Sequence, residues 1–335
     1  MILQTKFTRT LASLLATEPP FDPNRVNMNE IEAIFRHLRL PDPSTITKIA
    51  VGFTNEVYLI EDRYILKICI RSDNEEPFAR EAALNSVFEH QLPVPSVIHY
   101  DATKTIIDRD FMVCTRVPGA NLYNRWHTFN NRQRAVLIEQ LCGMLRTINA
   151  TDLSTLPPGT VPPLTNWKEY IADKIEGHLV ACERQESLSR EFTSAVRRYV
   201  AENIDVLDEA KVALTYFDPH FDNLLVTGER ITGLLDLERT EIASIDYVLD
   251  LVLRMQRFPT KYMSEHAKQF AKDEDYADLM DLYRQFYPEL FDFDNLDIRL
   301  NIYEITHDIR DLELWPDLTH LAAGMARIVK SHVDI

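Results

Sequence analysis

Between Tyr216 and Glu238 the chain concentrates side chains that suit a hard cation and proton transfer: Asp218, His220, Asn223 and Asp236. Two apolar runs, Leu224–Val226 and Ile231–Leu235, flank Thr227-Gly228-Glu229-Arg230. That pattern reads as two short strands around a turn. Pairing symmetric about a centre between Glu229 and Arg230 places Asn223 and Asp236 opposite each other at the hairpin mouth. Opposed residues of an antiparallel pair have Cα atoms roughly 4.5–5.5 Å apart. An amide oxygen and a carboxylate would then converge beside a third group, the Asp218 carboxylate. Hard oxygen ligands of this kind suit Mg²⁺, which usually completes its shell with water and substrate phosphates.

Elements upstream must present a partner to that hairpin. Residues 1–16 read as an amphipathic helix and 17–28, with three prolines, as a connector. Asn29–Leu38 carries Ile31, Ile34, Phe35 and Leu38 at helical spacing, ended by Pro41 and Pro43. From Ser44 to Val117 the pattern is a small sheet with one helix. Strands over Ile46–Val51 and Glu56–Ile60 flank Gly52-Phe53-Thr54-Asn55, and Tyr64–Ile70 is a third. Gly52, Thr54 and Asn55 offer backbone N–H groups and a hydroxyl to a phosphate. A single glycine is a weak signal, and an ordinary hairpin turn is the simpler reading. Lys67 interrupts the apolar strand Tyr64-Ile-Leu-Lys-Ile-Cys-Ile. It either sits on a solvated face or is held inward by a partner, since an unpaired buried ammonium is too costly. The helix over Pro77–His90 contains Glu81, a candidate partner. Phe111–Thr115 is a further strand, and Val117-Pro118-Gly119 marks a boundary.

After it the pattern turns helical, with Arg132–Ile148, Trp167–Val180 and Ser189–Val206 before the hairpin. Asp246–Met255 and three or four more helices follow it. The expected division is an N-terminal helical extension over 1–43, a sheet-based lobe over 44–117 and a helical lobe over 118–335.

A chain of 335 residues, 45% hydrophobic and 26% charged, has enough apolar material for a substantial core. The net charge of −16 argues against a general nucleic-acid or anionic-membrane surface. Between Asp273 and Asp317 there are 14 Asp/Glu against three Arg and no Lys, either a solubilising surface or an acidic wall for a cationic ligand. The four cysteines lack metal-ligand spacing, so free thiols in a reducing compartment are expected. The apolar run Leu11–Ala16 is too short for a signal-peptide core. No window approaches the roughly 18 apolar residues of a membrane helix, so the expected location is cytoplasmic.

The order of parts (strand, Thr/Asn loop, strand lysine, helix glutamate, Pro-Gly boundary, helical lobe, catalytic hairpin) is that of ATP-dependent phosphoryl transfer on kinase-like folds. This co-occurrence turns the reading of Lys67 and Glu81 towards a paired, functional one. The chain resembles the aminoglycoside phosphotransferase family, small-molecule relatives of protein kinases that include choline and homoserine kinases. That family's His-Gly-Asp-x-His-Pro-x-Asn reads here Tyr216-Phe217-Asp218-Pro219-His220-Phe221-Asp222-Asn223. Its Ile-Asp-Trp-Glu reads Leu235-Asp236-Leu237-Glu238. The resemblance spans roughly residues 45–335 and is specific mainly over 216–238.

The resemblance implies an α+β, protein-kinase-like bilobal fold, with a small antiparallel-sheet N-lobe and a mostly helical C-lobe. It implies Asp218 as the catalytic carboxylate, Asn223 and Asp236 as Mg²⁺ ligands, and His220 at the second histidine position. Lys67 and Glu81 match the pair that positions the nucleotide, ATP or GTP. Thr115–Val117 match the backbone hinge under the base, and Asp246 and Asp250 a structural Asp-Pro-x-x-Asp-Leu. A register with Asp222 as base is disfavoured, because it puts Thr227 where an Asn is expected. Tyr216 and Phe217 stand where the family has His and Gly, which leaves a catalytically weak, pseudokinase-type binding module as the alternative. Absence of Asp-Phe-Gly and of Ala-Pro-Glu after Asp236 argues against a protein kinase. For the small-molecule hydroxyl acceptor, Asp273, Glu274, Asp275, Asp278 and Asp281 suit an amine. Tyr123, Trp126, Tyr303 and Trp315 suit a larger apolar alcohol, and surface charge with core aromatics is the blander reading of both sets.

Overall fold

The structure, a computed structural model, describes residues 26–51, 55–70, 78–318 and 320–330. The expected helix over 1–16 and the phosphate-loop positions Gly52 and Thr54 lie outside the described residues. The chain divides into two compact units. One comprises the described residues up to Ala82 together with Ser96–Arg116; the other comprises Ala83–Pro95 and the chain from Val117 onward.

In the smaller unit, α1 (Met28–His37) starts at a capping box in which Asn27 and Glu30 satisfy each other's backbone N–H groups. Its apolar stripe, Ile31, Ile34 and Phe35, is buried against the sheet. The strands are β1 (Ile46–Val51), β2 (Asn55–Ile60) and β3 (Tyr64–Cys69). After α2 (Ala79–Phe88) come β4 (Val97–Asp101) and β5 (Phe111–Thr115). All neighbours are antiparallel, in the order β1-β2-β3-β5-β4. Residues alternate faces along a strand. In β3, Leu66 and Ile68 therefore enter the core shared with α1, and Lys67 emerges on the other face.

The larger unit begins with the two-residue β6 (Ala120–Asn121) and the helices α3 (Leu122–Trp126), α4 (Asn131–Asn149), α5 (Trp167–Arg184) and α6 (Arg190–Asn203). Strands β7 (Val212–Tyr216), β8 (Leu224–Thr227), β9 (Arg230–Leu234) and β10 (Thr240–Ser244) follow. The remaining helices are α7 (Val248–Arg257), α8 (Glu265–Lys268), α9 (Leu279–Phe286), α10 (Leu296–Leu314) and α11 (His320–Ile328). Helix α4 buries Leu137, Leu141, Leu145 and Ile148, the helical spacing read in the sequence. Strand β10, which the sequence reading replaced by an immediate helix, pairs antiparallel with β7 from Thr240↔Tyr216 to Ser244↔Val212. Gly119 has φ +141°, and a Cβ there would meet Thr232 Oγ1 at 2.6 Å. Only glycine allows the chain to pass so close to the hairpin.

Among the described residues, half of the 14 acids in the late stretch make ion pairs, and of the five offered for an amine only Asp275 does. Asp275 meets Arg134 at 2.8 Å, Glu289 meets Arg146 at 3.2 Å, and Asp292 meets Lys211 at 2.6 Å. Asp308 meets Arg254 at 2.6 Å, Asp311 meets Lys261 at 3.2 Å, and Glu313 meets His178 at 2.5 Å. Most of these acids neutralise cations brought from earlier in the chain. Trp126, Tyr123 and Tyr303 are core residues.

Candidate active site

The smaller unit supplies one buried ion pair. Lys67 Nζ lies 2.7 and 2.9 Å from the two oxygens of Glu81, whose side chain is 2% exposed. Strand alternation puts the ammonium on the α2 side of β3, and the first turn of α2 provides the acid. Asn55 opens β2, and its Oδ1 is buried with no hydrogen-bond partner among the described residues. Thr115 uses its hydroxyl to accept the Ser96 N–H at 3.0 Å, and its own N–H donates to the Ser96 carbonyl.

In the larger unit, Asp218 follows β7 and stays partly exposed, its Oδ1 3.6 Å from His220 Nε2. His220 Nδ1 accepts the Asp222 N–H at 3.3 Å. An accepting Nδ1 leaves the proton of a neutral imidazole on Nε2, facing Asp218. Tyr123 stacks on the His220 ring at 6.5 Å and fixes its plane. The Asn121 side chain holds the loop through the Asp222 carbonyl at 2.9 Å.

The hairpin differs from its expected register. Thr227 pairs with Arg230 across Gly228-Glu229, and Val226 with Ile231; the register then shifts, so that Leu225 faces Gly233 and Leu224 faces Leu234. A bulge of this kind shifts the far end of one strand by a residue. Asn223 therefore faces Leu235, whose N–H donates to the Asn223 carbonyl at 2.9 Å, and Asp236 lies one residue further on. Asp236 has φ 55° and ψ 53°, the left-handed region that non-glycine residues rarely occupy. That conformation breaks the strand alternation at this residue, and such outliers gather at functional sites.

Tyr216, whose role the sequence left open, ties the two segments together. Its hydroxyl accepts the Asn223 amide Nδ2 at 3.1 Å and donates to the Leu235 carbonyl at 3.1 Å. Asn223 Nδ2 also donates to the Asp218 carbonyl at 3.0 Å. With its NH₂ engaged twice, Asn223 keeps Oδ1 clear of internal donors. A hard oxygen is thus available in the same loop as Asp218, immediately before β8, whose hairpin partner β9 leads to Asp236. Among the described residues no group of three or more His, Cys, Asp or Glu could hold a metal alone. One amide oxygen plus one carboxylate still fits Mg²⁺, which takes few protein ligands when phosphate oxygens complete its shell. Phe217, where the family has glycine, packs its ring edge-on against Tyr247 at 5.4 Å, and its N–H donates to the Arg239 carbonyl at 3.3 Å. The larger side chain is thereby absorbed by continuing the β7–β10 ladder.

Beneath this loop lie buried charges with structural roles. Asp246 is fully buried and receives Arg299 at 2.7 and 3.0 Å and the Tyr303 hydroxyl at 3.1 Å. Asp250 receives Arg254 at 2.9 Å and His307 at 3.1 Å. Burial alone would raise the Asp250 carboxyl, but the Arg254 charge and the His307 hydrogen bond outweigh it and bring it down to about 2.

A small antiparallel sheet with a lysine–glutamate pair, and a helical unit carrying the Asp-x-His loop and hairpin, define the protein-kinase-like fold. The profile of the phosphotransferase enzyme family matches residues 45–279, and the chain belongs to that family of small-molecule kinases. Solved structures share the fold at low identity. The ADP-bound aminoglycoside phosphotransferase APH(2'')-Ib is 15% identical at a TM-score of 0.66, covering 91% of this chain and 98% of its own. Aminoglycoside phosphotransferase APH(4)-Ia is 16% identical at 0.66, covering 92% and 100%. A GDP and kanamycin complex of APH(2")-IIia is 15% identical at 0.62, covering 91% and 98%. Comparison with the curated proteins returned no match. Among the described residues no helix is long and apolar enough to cross a membrane.

Proposed function

We propose that this protein transfers the γ-phosphoryl group of ATP or GTP to a hydroxyl of a small molecule. The observation that carries this reading is the Tyr216–Asn223–Asp218 network, which frees one amide oxygen for a cation in the loop that holds a carboxylate. Lys67, oriented by Glu81, binds the nucleotide phosphates, and Asn55 and the backbone over Thr115–Val117 belong to the nucleotide site. Asp218 orients the acceptor hydroxyl, with His220 Nε2 3.6 Å from its carboxylate. The new bond forms between the acceptor oxygen and the γ-phosphorus, while the bond from that phosphorus to the bridging oxygen breaks. The bond pair leaves with the nucleoside diphosphate, and the hydroxyl proton passes late to Asp218. Mg²⁺ on Asn223 and Asp236 would supply positive charge against the phosphate oxygens.

Neighbours bound to ADP and to GDP support nucleotide use and leave both nucleotides open. Asp218→Asn tests the assignment. Loss of a general base costs about 10²–10⁴ in turnover. Nucleoside diphosphate release should fall by that much, while the thermal shift on adding Mg²⁺ and nucleotide persists. Undiminished release would remove Asp218 from the reaction.

A further inference from the structure

Cations that make no ion pair among the described residues lie beside the β7–β10 ladder that leads to Asp218. Thr240 and Glu241 of β10 pair with Tyr216 and Thr215 of β7, and the backbone bond from Phe217 to Arg239 extends that ladder to the residue before Asp218. From α5, the Lys174 ammonium lies 4.6 Å from the centre of the Tyr170 ring, and the Tyr170 hydroxyl donates to Glu241 at 2.9 Å. The Tyr170 ring stacks at 5.6 Å on Trp167, which meets Tyr247 at 5.2 Å, and Tyr247 meets Phe217. An aromatic wall therefore runs from Phe217 to the lysine.

Burial pulls the Lys174 ammonium below its ordinary range. Glu241 opposes this, and the nearby positive charges of Arg310 and Arg239 add to it. None of Lys174, Arg239 and Arg310 has a carboxylate within ion-pair distance among the described residues, although many other cations of this unit are paired. Glu241, already engaged by Tyr170, is the acid that acts on the Lys174 ammonium, and Arg310 and Arg239 act against it. A half-buried ammonium that makes no direct ion pair is held at a cost that an incoming anion would relieve.

We propose that the acceptor is a hydroxyl compound bearing an anionic group, carboxylate or phosphate, which binds Lys174 together with Arg310 and Arg239 while its hydroxyl reaches Asp218. This rests on the phosphotransfer reading and narrows its substrate class away from the amine that the acidic composition suggested.

The test uses the full chain with Mg²⁺ and ATP or GTP, following nucleoside diphosphate release. Malate and glucuronate represent hydroxy carboxylates, glycerol 3-phosphate a phosphate-bearing alcohol, glycerol a neutral one and kanamycin a polycation. At least one anionic compound should be turned over in preference to glycerol and kanamycin, and which arm responds separates carboxylate from phosphate. With that compound Lys174→Gln should raise KM at least tenfold, with Lys174→Arg recovering most of it and both variants melting within a few degrees of the parent. Turnover of kanamycin but of no anionic compound would overturn the inference. So would slow nucleotide hydrolysis that none of the anionic compounds accelerates, or an unchanged KM in Lys174→Gln. Absence of any nucleotide binding or hydrolysis would instead overturn the phosphotransfer reading beneath it.

Discussion

Removing the Tyr216 hydroxyl tests the proposal that the hairpin is held for metal binding. In Tyr216→Phe the ring still fills its buried site, but two hydrogen bonds disappear, one from Asn223 Nδ2 and one to the Leu235 carbonyl. Each is worth about 0.5–1.5 kcal/mol net, and a buried group left unsatisfied costs about 1–3 kcal/mol. Asn223 retains its bond to the Asp218 carbonyl, so only part of its restraint is lost, whereas the Leu235 carbonyl next to Asp236 loses the Tyr216 donor. A destabilisation of about 2–3 kcal/mol follows, readable as a lowered midpoint in urea with unchanged slope. The functional loss should exceed this structural one. Groups that orient a metal ligand typically contribute about 10–100-fold to metal affinity. Calorimetric titration of the nucleoside diphosphate with and without Mg²⁺ separates the two, because only the Mg²⁺-dependent part should weaken. Tyr216→His keeps a polar group at the position and should recover part of that affinity. If Tyr216→Phe is destabilised but binds Mg²⁺ and nucleotide as tightly as the parent, the hydroxyl supports the fold alone and the link to Asn223 is refuted.

Acid should weaken the larger unit through Asp250. Its folded carboxyl lies at about 2, below the ordinary range of an aspartate, so its contribution is fully present above the unfolded value and is lost as pH falls from about 4 towards 2. The loss amounts to about 2 kcal/mol and should appear as a steeper acid-side decline in the parent than in Asp250→Asn. Thiol labelling of the native protein should be very slow. All four cysteines are buried, and burial pushes Cys142 up to about 12, so labelling should become rapid only after unfolding in urea. Prompt modification of Cys142 in buffer would contradict its burial.

The parts legible in the sequence were those with local signatures. Lys67 in an apolar strand and Glu81 in the following helix each allowed a solvated reading, and only their order along the chain argued for the bond the structure contains. The loop from Asp218 to Asn223 was legible by motif. The hairpin register was not: Thr227 pairs with Arg230, so the turn is centred a residue earlier than the composition suggested, and the bulge between Val226 and Leu225 returns the pairing only one residue towards Asp236. Strand β10 was hidden because its pairing with β7 spans an intervening hairpin. Acidic composition pointed towards a cationic ligand, whereas tertiary pairing assigns Asp275, Asp308 and Asp311 to internal cations. Lys174, Arg239 and Arg310, which make no ion pair among the described residues, come from three separate segments and carry no sequence pattern in common.

The ion pairs between the late acidic stretch and earlier cations also set an order of assembly during synthesis. When α4 and α7 have left the ribosome, Arg134 still lacks Asp275 and Arg254 still lacks Asp308. Asp246 must wait a further 53 residues for Arg299 before its carboxylate can be buried at low cost. The helical unit therefore cannot close progressively behind the emerging chain, although the smaller sheet, complete by Arg116, can. A nascent chain halted between the hairpin and α10 would carry the whole Asp218–Asp236 segment yet lack the arginine that neutralises the ground beneath it.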